Sequence, residues 1–228
     1  MSIQQNLLSV RDMIGEAALR AGRDSASIGL VAVTKTQSVE NIQMVVEQGV
    51  SDLGENRVQE LLDKYPQIKG PVRWHLIGSL QTNKVRQIVD KVFLIHSVDR
   101  WALAEEIDLR ARQHGLVSQI LVQVNVSGEE SKHGISPEDT PEFVRSLAGL
   151  PNLRVCGLMT MAPFYAEPET TRSVFTGLRK LAGEIDRLAI QGVSMEWLSM
   201  GMSNDYQVAI EEGATLVRIG SDIFNPRS

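Results

Sequence analysis

The sequence predicts an eight-stranded parallel α/β barrel, the TIM-barrel fold, because short apolar segments alternate with helical patterns eight times along the chain. The early apolar segments are continuous rather than alternating, as expected for parallel strands that are covered on both faces. The chain has 228 residues, of which 43% are hydrophobic. Barrels of this kind commonly reach this length as one unit, so we predict a single barrel domain over residues 1–228.

The predicted strands lie at residues 30–34, 51–53, 72–77, 92–95, 119–126, 153–159, 195–198 and 216–219. Apolar residues at helical spacing predict the intervening helices at residues 39–48, 58–64, 83–89, 100–113, 141–148, 171–190 and 205–212. Few residues follow the eighth strand, so its helix is expected to be very short or absent. An amphipathic helix with Ile3, Leu7 and Val10 on its apolar face is the candidate to cover that side.

An open doubly wound sheet is the alternative fold. It requires a glycine-rich turn after the first strand when it binds a dinucleotide. This chain has Thr34-Lys35-Thr36-Gln37 at that place. The sequence therefore favours the barrel.

Composition excludes several classes of function. The net charge is -5 and no basic stripe is present, which argues against a nucleic-acid partner. No segment approaches the ~18 apolar residues of a membrane span, and no signal peptide precedes the first helix. The one cysteine, Cys156, fits a reducing, cytoplasmic compartment, where it is expected to be an inert buried thiol. No cysteine, histidine and carboxylate cluster has metal-ligand spacing.

Lys35 ends the first apolar segment. Functional side chains in this fold come from the carboxyl ends of the strands and the loops after them. An amine enclosed there by apolar walls would be partly neutral and nucleophilic. The position of Lys35 therefore predicts an amine that forms an imine with an aldehyde.

The loops after strands seven and eight contain Gly201, Ser203, Gly220 and Ser221. Phosphate sites of barrels are frequently built from these two loops, and glycine allows the backbone to approach a ligand closely. Ser203 precedes the predicted helix at 205–212, whose free N–H groups would favour a phosphate. In the alternative interpretation Ser203 is an N-cap and the glycines form turns. The pairing of the two loops favours phosphate.

Arg218 stands two residues before Gly220 at the end of strand eight. A phosphate held at Gly220 would leave Arg218 within reach of an attached ring, and its alternative partner is a core carboxylate. An imine-forming lysine opposite a phosphate cradle predicts pyridoxal 5'-phosphate (PLP). Arginine facing the pyridine nitrogen would keep that nitrogen unprotonated.

Seven segments of the chain together resemble the PLP homeostasis protein family, also called the YggS or PROSC family, whose barrel is similar to the N-terminal domain of alanine racemase. They are residues 33–35 (VTK), 54–60 (GENRVQE), 74–84 (WHLIGSLQTNK), 132–134 (KHG), 157–161 (GLMTM), 199–205 (SMGMSND) and 217–221 (VRIGS). The 74–84 segment is the most specific. The resemblance extends from Lys35 to about Arg227.

The resemblance implies a PLP-binding protein that holds its cofactor as a Lys35 aldimine without a dedicated reaction and hands it on to PLP-dependent apoenzymes. Independently of the resemblance, we expect a monomer that needs no metal, nucleic acid or membrane. The site residues that it implies are Lys35 for the aldimine, Ser203, Gly220 and Ser221 for the phosphate, Arg218 for the ring nitrogen, Asn56 and Met200 for the pocket lining, and His75 nearby.

The chain departs from the family pattern after its phosphate loop. Asp222 stands where the family usually has a small residue, and Asn225-Pro226 stands where it has a glycine. A carboxylate beside a phosphate loop repels the phosphate unless the side chain points away.

Two other functions fit parts of the sequence. A PLP-dependent amino-acid racemase would use Lys35 as one base and requires a second acid or base opposite it. The tyrosines, Tyr65, Tyr165 and Tyr206, do not stand at predicted strand ends, which leaves His75 as the second base. A cofactor-free lyase that forms a Schiff base is the third function, and it would not take up PLP.

Overall fold

The parallel barrel closes in chain order, with β1 pairing to β8. The computed structural model describes residues 2–129, 132–164 and 167–225. The predicted barrel fold is confirmed. Its strands are β1 (Gly29–Val33), β2 (Asp52–Glu55), β3 (Arg73–Leu76), β4 (Leu94–Val98), β5 (Ser118–Gln123), β6 (Leu153–Met159), β7 (Val193–Met202) and β8 (Leu216–Ile219).

Helices surround the barrel: α1 precedes β1, and each of the others follows one strand in order. They are α1 (Ile3–Arg20), α2 (Val39–Glu47), α3 (Val58–Lys64), α4 (Val85–Ile88), α5 (Trp101–Gln113), α6 (Thr140–Leu147), α7 (Arg172–Arg187), α8 (Tyr206–Glu211) and α9 (Ser221–Phe224). A large apolar cluster fills the layer between strands and helices, and a smaller one lies inside the barrel.

The predicted elements differ from the observed ones mainly at their ends. β7 continues to Met202, four residues beyond the predicted end, because its pairing with β8 shifts in register between Ser199 and Met202. β5 stops at Gln123, since the chain then forms an isolated bridge from Val124 to Ile135. The helix predicted at 83–89 divides into a 3-10 turn and α4.

Helix α1 covers the seam of the barrel, where the helix after β8 has only the four residues of α9. Its residues Leu7 and Val10 are buried, and the helix packs against α8 and α9. The Asn6 side-chain amide donates to the carbonyl oxygen of Ile223 at 3.0 Å. The sequence interpretation of α1 as the cover of this side therefore agrees with its position.

No helix in the described part of the chain has the length and hydropathy needed to cross a membrane. Cys156 is a free thiol inside the barrel, and its burial raises the pKa of the thiol. This agrees with the prediction of an inert cysteine.

Two adjacent leucines of α1 test whether this helix is part of the stable core. We expect Leu7→Ala to lower the free energy of unfolding by about 2–5 kcal/mol, because Leu7 is only 1% exposed. Urea denaturation followed by circular dichroism measures the change. The matched control is Leu8→Ala, whose side chain is 53% exposed and whose loss should cost less than about 0.5 kcal/mol. Equal losses of unfolding free energy in the two variants would contradict the assignment of α1 to the stable core.

Candidate functional site

The candidate site lies where the carboxyl ends of β7, β8 and β1 meet. Because the strands are parallel and adjacent, their C-terminal loops emerge side by side at one end of the barrel. Ala32 of β1 pairs with Ile219 of β8, and a Cβ atom on Gly220 would lie 3.2 Å from the carbonyl oxygen of Val33. The glycine loop after β8 therefore lies against the end of β1, two residues before Lys35.

Lys35 is not enclosed in this structure. Strand β1 ends at Val33, and the Lys35 side chain is exposed. The expectation that apolar walls surround the amine is therefore wrong for this structure. The chain turns away immediately afterwards, at Thr36, which has a φ of 62°.

A buried ion-pair network fixes the turn that carries Lys35. The Thr36 N–H donates to Glu60 Oε2 at 2.9 Å, which offsets a backbone conformation that costs a non-glycine residue about 1–3 kcal/mol. The Lys64 ammonium donates to the carbonyl oxygen of Thr34 at 2.8 Å, to Glu55 Oε1 at 2.7 Å and to Glu60 Oε2 at 3.2 Å. One lysine therefore ties the end of β1 to β2 and α3.

Glu55 is the most deeply buried member of this network and is fully shielded from solvent. Burial raises the pKa of its carboxyl group, while the Lys64 ammonium and the Thr34 hydroxyl act in the opposite direction. Sequence reasoning missed this network. Its signal was the i,i+4 spacing of Glu60 and Lys64, which ordinarily marks a solvated helix face.

Ser203 and the start of α9 form a corner of hydrogen-bonding groups. The backbone N–H groups of Gly220 and Asp222 point at the Ser203 hydroxyl oxygen, at 3.4 and 3.5 Å. Ser221, the first residue of α9, is exposed beside them. Since these hydrogen bonds are long and therefore weak, the N–H groups remain able to donate to a better-placed acceptor. The three phosphate residues of the sequence prediction, Ser203, Gly220 and Ser221, are thus brought together.

Gly201 lies next to the same corner, near the end of β7. Its φ is 90°, and a Cβ atom there would lie 2.9 Å from the Cα atom of Tyr206. No side chain fits at this position. Glycine therefore allows the end of β7 to contact α8.

Asp205, the N-cap residue of α8, makes no side-chain hydrogen bond to the first N–H groups of that helix, which the sequence predicted to favour a phosphate. The helix begins at Tyr206, and its N-cap is Asp205, whose buried carboxylate accepts a hydrogen bond from the Met202 N–H at 2.6 Å. Burial raises the pKa of Asp205, and the nearby Arg218 charge opposes this shift. The Asp205 carboxylate therefore bonds the end of β7 and not the start of α8, while the Ser203 hydroxyl faces α9.

Asp222 contributes its backbone N–H to the corner. Burial, with a smaller contribution from the Asp222 carboxylate, raises the pKa of Tyr206 to about 12. The sequence also departs from the family pattern at Asn225 and Pro226. Pro226 lies outside the described residues.

Arg218 lies inside the barrel, just below Gly220, and is only 3% exposed. Its guanidinium donates to the Ser199 hydroxyl oxygen at 2.5 Å and to the carbonyl oxygen of Thr160 at 2.9 Å. Among the described residues no carboxylate lies within ion-pair distance, so the alternative of a core salt bridge is wrong there. Burial lowers the pKa of Arg218 to about 10.

His75 lies inside the barrel and has no ring nitrogen free for a ligand. Its Nε2 is 2.8 Å from Asp52 Oδ1, and its Nδ1 is 2.9 Å from His96 Nε2. His96 is fully buried and continues this contact to Ser199. His75 can therefore reach the mouth only through its neighbours, which does not favour it as the second base of a racemase.

The two predicted pocket-lining residues differ in position. Asn56 follows β2 at the mouth and is partly exposed, with its backbone packed closely against Gly78. Met200 is fully buried and belongs to the large apolar cluster between the strands and the helices. The structure therefore does not bring the Met200 side chain to the mouth with the others.

The described tyrosines lie away from the strand ends. Tyr65 follows α3, and the Tyr206 hydroxyl donates to the Met13 sulfur of α1 at 3.4 Å. Tyr165 lies outside the described residues. Neither described phenol is placed to exchange a proton at the mouth.

Comparison with known sequences gives a consistent family. The profile of the family described as alanine racemase, N-terminal domain, matches residues 3–227. Pyridoxal phosphate homeostasis protein from Aquifex aeolicus is 45% identical over all of this chain and 99% of its own length. The protein of that name from Pseudomonas aeruginosa is 41% identical over 99% of this chain and 96% of its own.

Solved structures agree with the sequence comparison. PipY of Synechococcus elongatus, in a structure titled as having PLP bound, superposes with a TM-score of 0.85 at 32% identity, over 98% of this chain and all of its own. Alanine racemase of Clostridium difficile shares the fold at a TM-score of 0.79 and 14% identity, over 97% of this chain and 56% of its own. The chain belongs to the alanine racemase N-terminal domain family, among the pyridoxal phosphate homeostasis proteins.

Proposed function

We propose that this protein binds PLP at the mouth of its barrel and serves in PLP homeostasis, as a carrier without a dedicated reaction. The observation that carries the proposal is the corner formed by the Ser203 hydroxyl and the N–H groups of Gly220 and Asp222, beside the end of β1. The similar proteins named pyridoxal phosphate homeostasis protein and the structure of PipY with PLP bound support it.

The corner fits a phosphate for steric and electrostatic reasons. A Cβ atom at Gly220 would lie 3.2 Å from the Val33 Cβ atom, so only glycine leaves this backbone accessible. Backbone N–H groups that point outward at a helix start favour an anion. The hydroxyls of Ser203 and Ser221 add donors that can rotate toward phosphate oxygens.

Lys35 supplies the covalent anchor in this proposal. Its amine condenses with the aldehyde carbon, forming a carbon–nitrogen double bond and releasing one water. PLP when bound supplies an aldehyde and an electron-accepting ring. The Lys64 network holds the Thr34–Thr36 backbone, so the amine starts from a fixed base even though its side chain is exposed.

Arg218 sets the electronic character of the proposed site. A guanidinium offers only hydrogen-bond donors, so toward a pyridine nitrogen it acts as donor and leaves that nitrogen unprotonated. An unprotonated ring withdraws electrons less strongly, which suits storage of the cofactor. We propose that Asn56 lines the pocket and that His75 acts only through its neighbours.

We further propose that the protein acts as a monomer in the cytoplasm and that PLP-dependent apoenzymes receive the cofactor. The buried free thiol of Cys156 suits a reducing compartment. Several large exposed apolar residues, among them Leu19, Met44 and Leu109, lie on different helices, and such scattered residues are usual on a monomer's surface.

The first test identifies the anchoring amine. We expect the PLP-loaded protein to be yellow, to lose its colour with borohydride and to retain a pyridoxyl group on Lys35, read by peptide mass spectrometry. Lys35→Ala should abolish the imine absorbance, because the nucleophile is gone, while the control Lys69→Ala on an exposed loop keeps it. A protein that takes up no PLP, or that carries the label on another lysine, would overturn the assignment.

The second test separates the phosphate corner from the amine. Ser203→Ala combined with Ser221→Ala should raise the dissociation constant of PLP by about 30-fold, since two hydrogen bonds to a charged group are worth roughly 2 kcal/mol or more. The absorbance at saturating PLP should remain, because Lys35 is intact. The matched control changes two exposed helix serines, Ser146 and Ser173, to alanine. Unchanged affinity in the double variant would place the phosphate elsewhere.

The third test concerns catalysis. We expect no sustained racemisation of L-alanine or L-serine by the PLP-loaded protein, because Tyr206 donates to Met13 and both His75 nitrogens are engaged by protein groups. Chiral chromatography of the incubated amino acid measures it. Turnover that continues for many equivalents of protein would replace the carrier with a racemase.

A further inference from the structure

Four consecutive hydrogen bonds cross the interior of the barrel from β8 to β2. Arg218 contacts the Ser199 Oγ atom at 2.5 Å, and Ser199 Oγ lies 2.9 Å from His96 Nδ1. His96 Nε2 is 2.9 Å from His75 Nδ1, and His75 Nε2 is 2.8 Å from Asp52 Oδ1. We call these five side chains the interior relay.

The two ends of the interior relay, together with neutral histidine rings, determine the direction of every hydrogen bond in it. Arginine only donates, so Ser199 accepts from Arg218 and has its own hydrogen available for His96 Nδ1. An ionised Asp52 only accepts, so His75 carries its proton on Nε2 and accepts at Nδ1. His96 then donates from Nε2. With both rings neutral, this is the one arrangement of protons that satisfies all four contacts.

The charges of the titratable groups agree with this arrangement. Burial lowers the pKa of His75 and, more strongly, that of His96, which keeps both rings neutral at pH 7. Burial alone would raise the pKa of Asp52, but hydrogen bonds from His75 and Arg73 outweigh it and leave the pKa well below its usual range. The interior relay therefore has a cation at one end and an anion at the other.

The sheet separates these two charges from direct contact. Val31 of β1 pairs with Asp52 on one side and with Arg218 on the other, so two strand spacings, about 10 Å, lie between the two backbones. Val31 belongs to the apolar cluster inside the barrel, together with Leu94 and Leu121. Asp205 is the carboxylate whose charge acts on Arg218, and Asp52 has its own ion pair with Arg73 at 2.7 Å. Asp52 therefore acts on Arg218 through the hydrogen bonds of the relay and not as a direct ion pair.

We propose that Asp52, His75, His96 and Ser199 are positioning residues for Arg218: the ionised Asp52 fixes the protons of the interior relay, and the relay holds the guanidinium aimed at the cofactor ring. This inference rests on the proposed function for the identity of the ring. Asp52 begins β2 and Arg73 and Ser51 also donate to it, so it lies away from the mouth. It can influence the cofactor only through the relay and its charge.

The first experiment uses the free protein and needs no PLP. Nitrogen-15 NMR of protein labelled at histidine reports the protonation of each ring nitrogen. We expect His75 and His96 to be neutral Nε2–H tautomers throughout pH 6–8. Either ring found as the Nδ1–H tautomer, or titrating in that range, would overturn the relay whatever the protein binds.

The second experiment uses the PLP-loaded protein and the Asp52→Asn variant, which keeps the shape and removes the charge. We expect the absorption band of bound PLP to shift and the dissociation constant to rise about tenfold, as when an outer partner of a ligand-binding group is removed. The matched control is Asp108→Asn on α5, whose carboxylate holds Asn152 outside the barrel interior. A loaded Asp52→Asn protein with the normal band and an affinity within twofold would overturn the proposal.

Two substitutions of His96, in the middle of the relay, form a third experiment. His96→Leu breaks it and should reproduce the spectral shift of Asp52→Asn. His96→Gln retains one donor and one acceptor, so it should restore the normal band, which a purely steric role of the ring would not predict. If His96→Leu fails to fold, the spectrum and affinity of the Asp52→Asn variant still test the proposal. If the unmodified protein takes up no PLP, the proposed function is contradicted. The NMR experiment then still tests whether the hydrogen bonds of the relay run in the inferred direction.

Discussion

The pairing of β1 with β8 is the constraint on which the site depends. It joins the first and last strands of the sequence, so the lysine that follows β1 and the glycine loop that follows β8 emerge next to each other. In an open sheet these two strands could lie at distant positions. Closure of the barrel turns an early and a late segment of the chain into neighbours, and the close approach of Gly220 to Val33 is the local expression of this closure.

Much of this geometry was predictable from the sequence, because buried parallel strands leave short apolar segments that the helices interrupt. The short α9 followed from the few residues after strand eight, and the meeting of Ser203 with Gly220 followed from the rule that barrel loops seven and eight are adjacent. The end of β7 was not predictable, since a register shift between Ser199 and Met202 depends on the partner strand.

The buried polar groups were the least predictable part. Lys64 has the sequence pattern of a solvated helix residue, and only packing against β1 and β2 reveals its three buried acceptors. His96 carries no local signal at all, because its partners, His75 and Ser199, are distant in sequence. Met200 was predicted at the pocket, although alternation along β7 places Ser199 inside and Met200 outside.

The hydrogen bond from Asn6 to the carbonyl oxygen of Ile223 fastens the beginning of the protein to its final turn. That turn starts with Ser221, so α1 indirectly sets where the backbone of the proposed phosphate corner lies. Loosening α1 would let this backbone move without any change in the barrel strands. In the proposed site, the affinity for an anion thus depends in part on a helix that is 217 residues away in sequence.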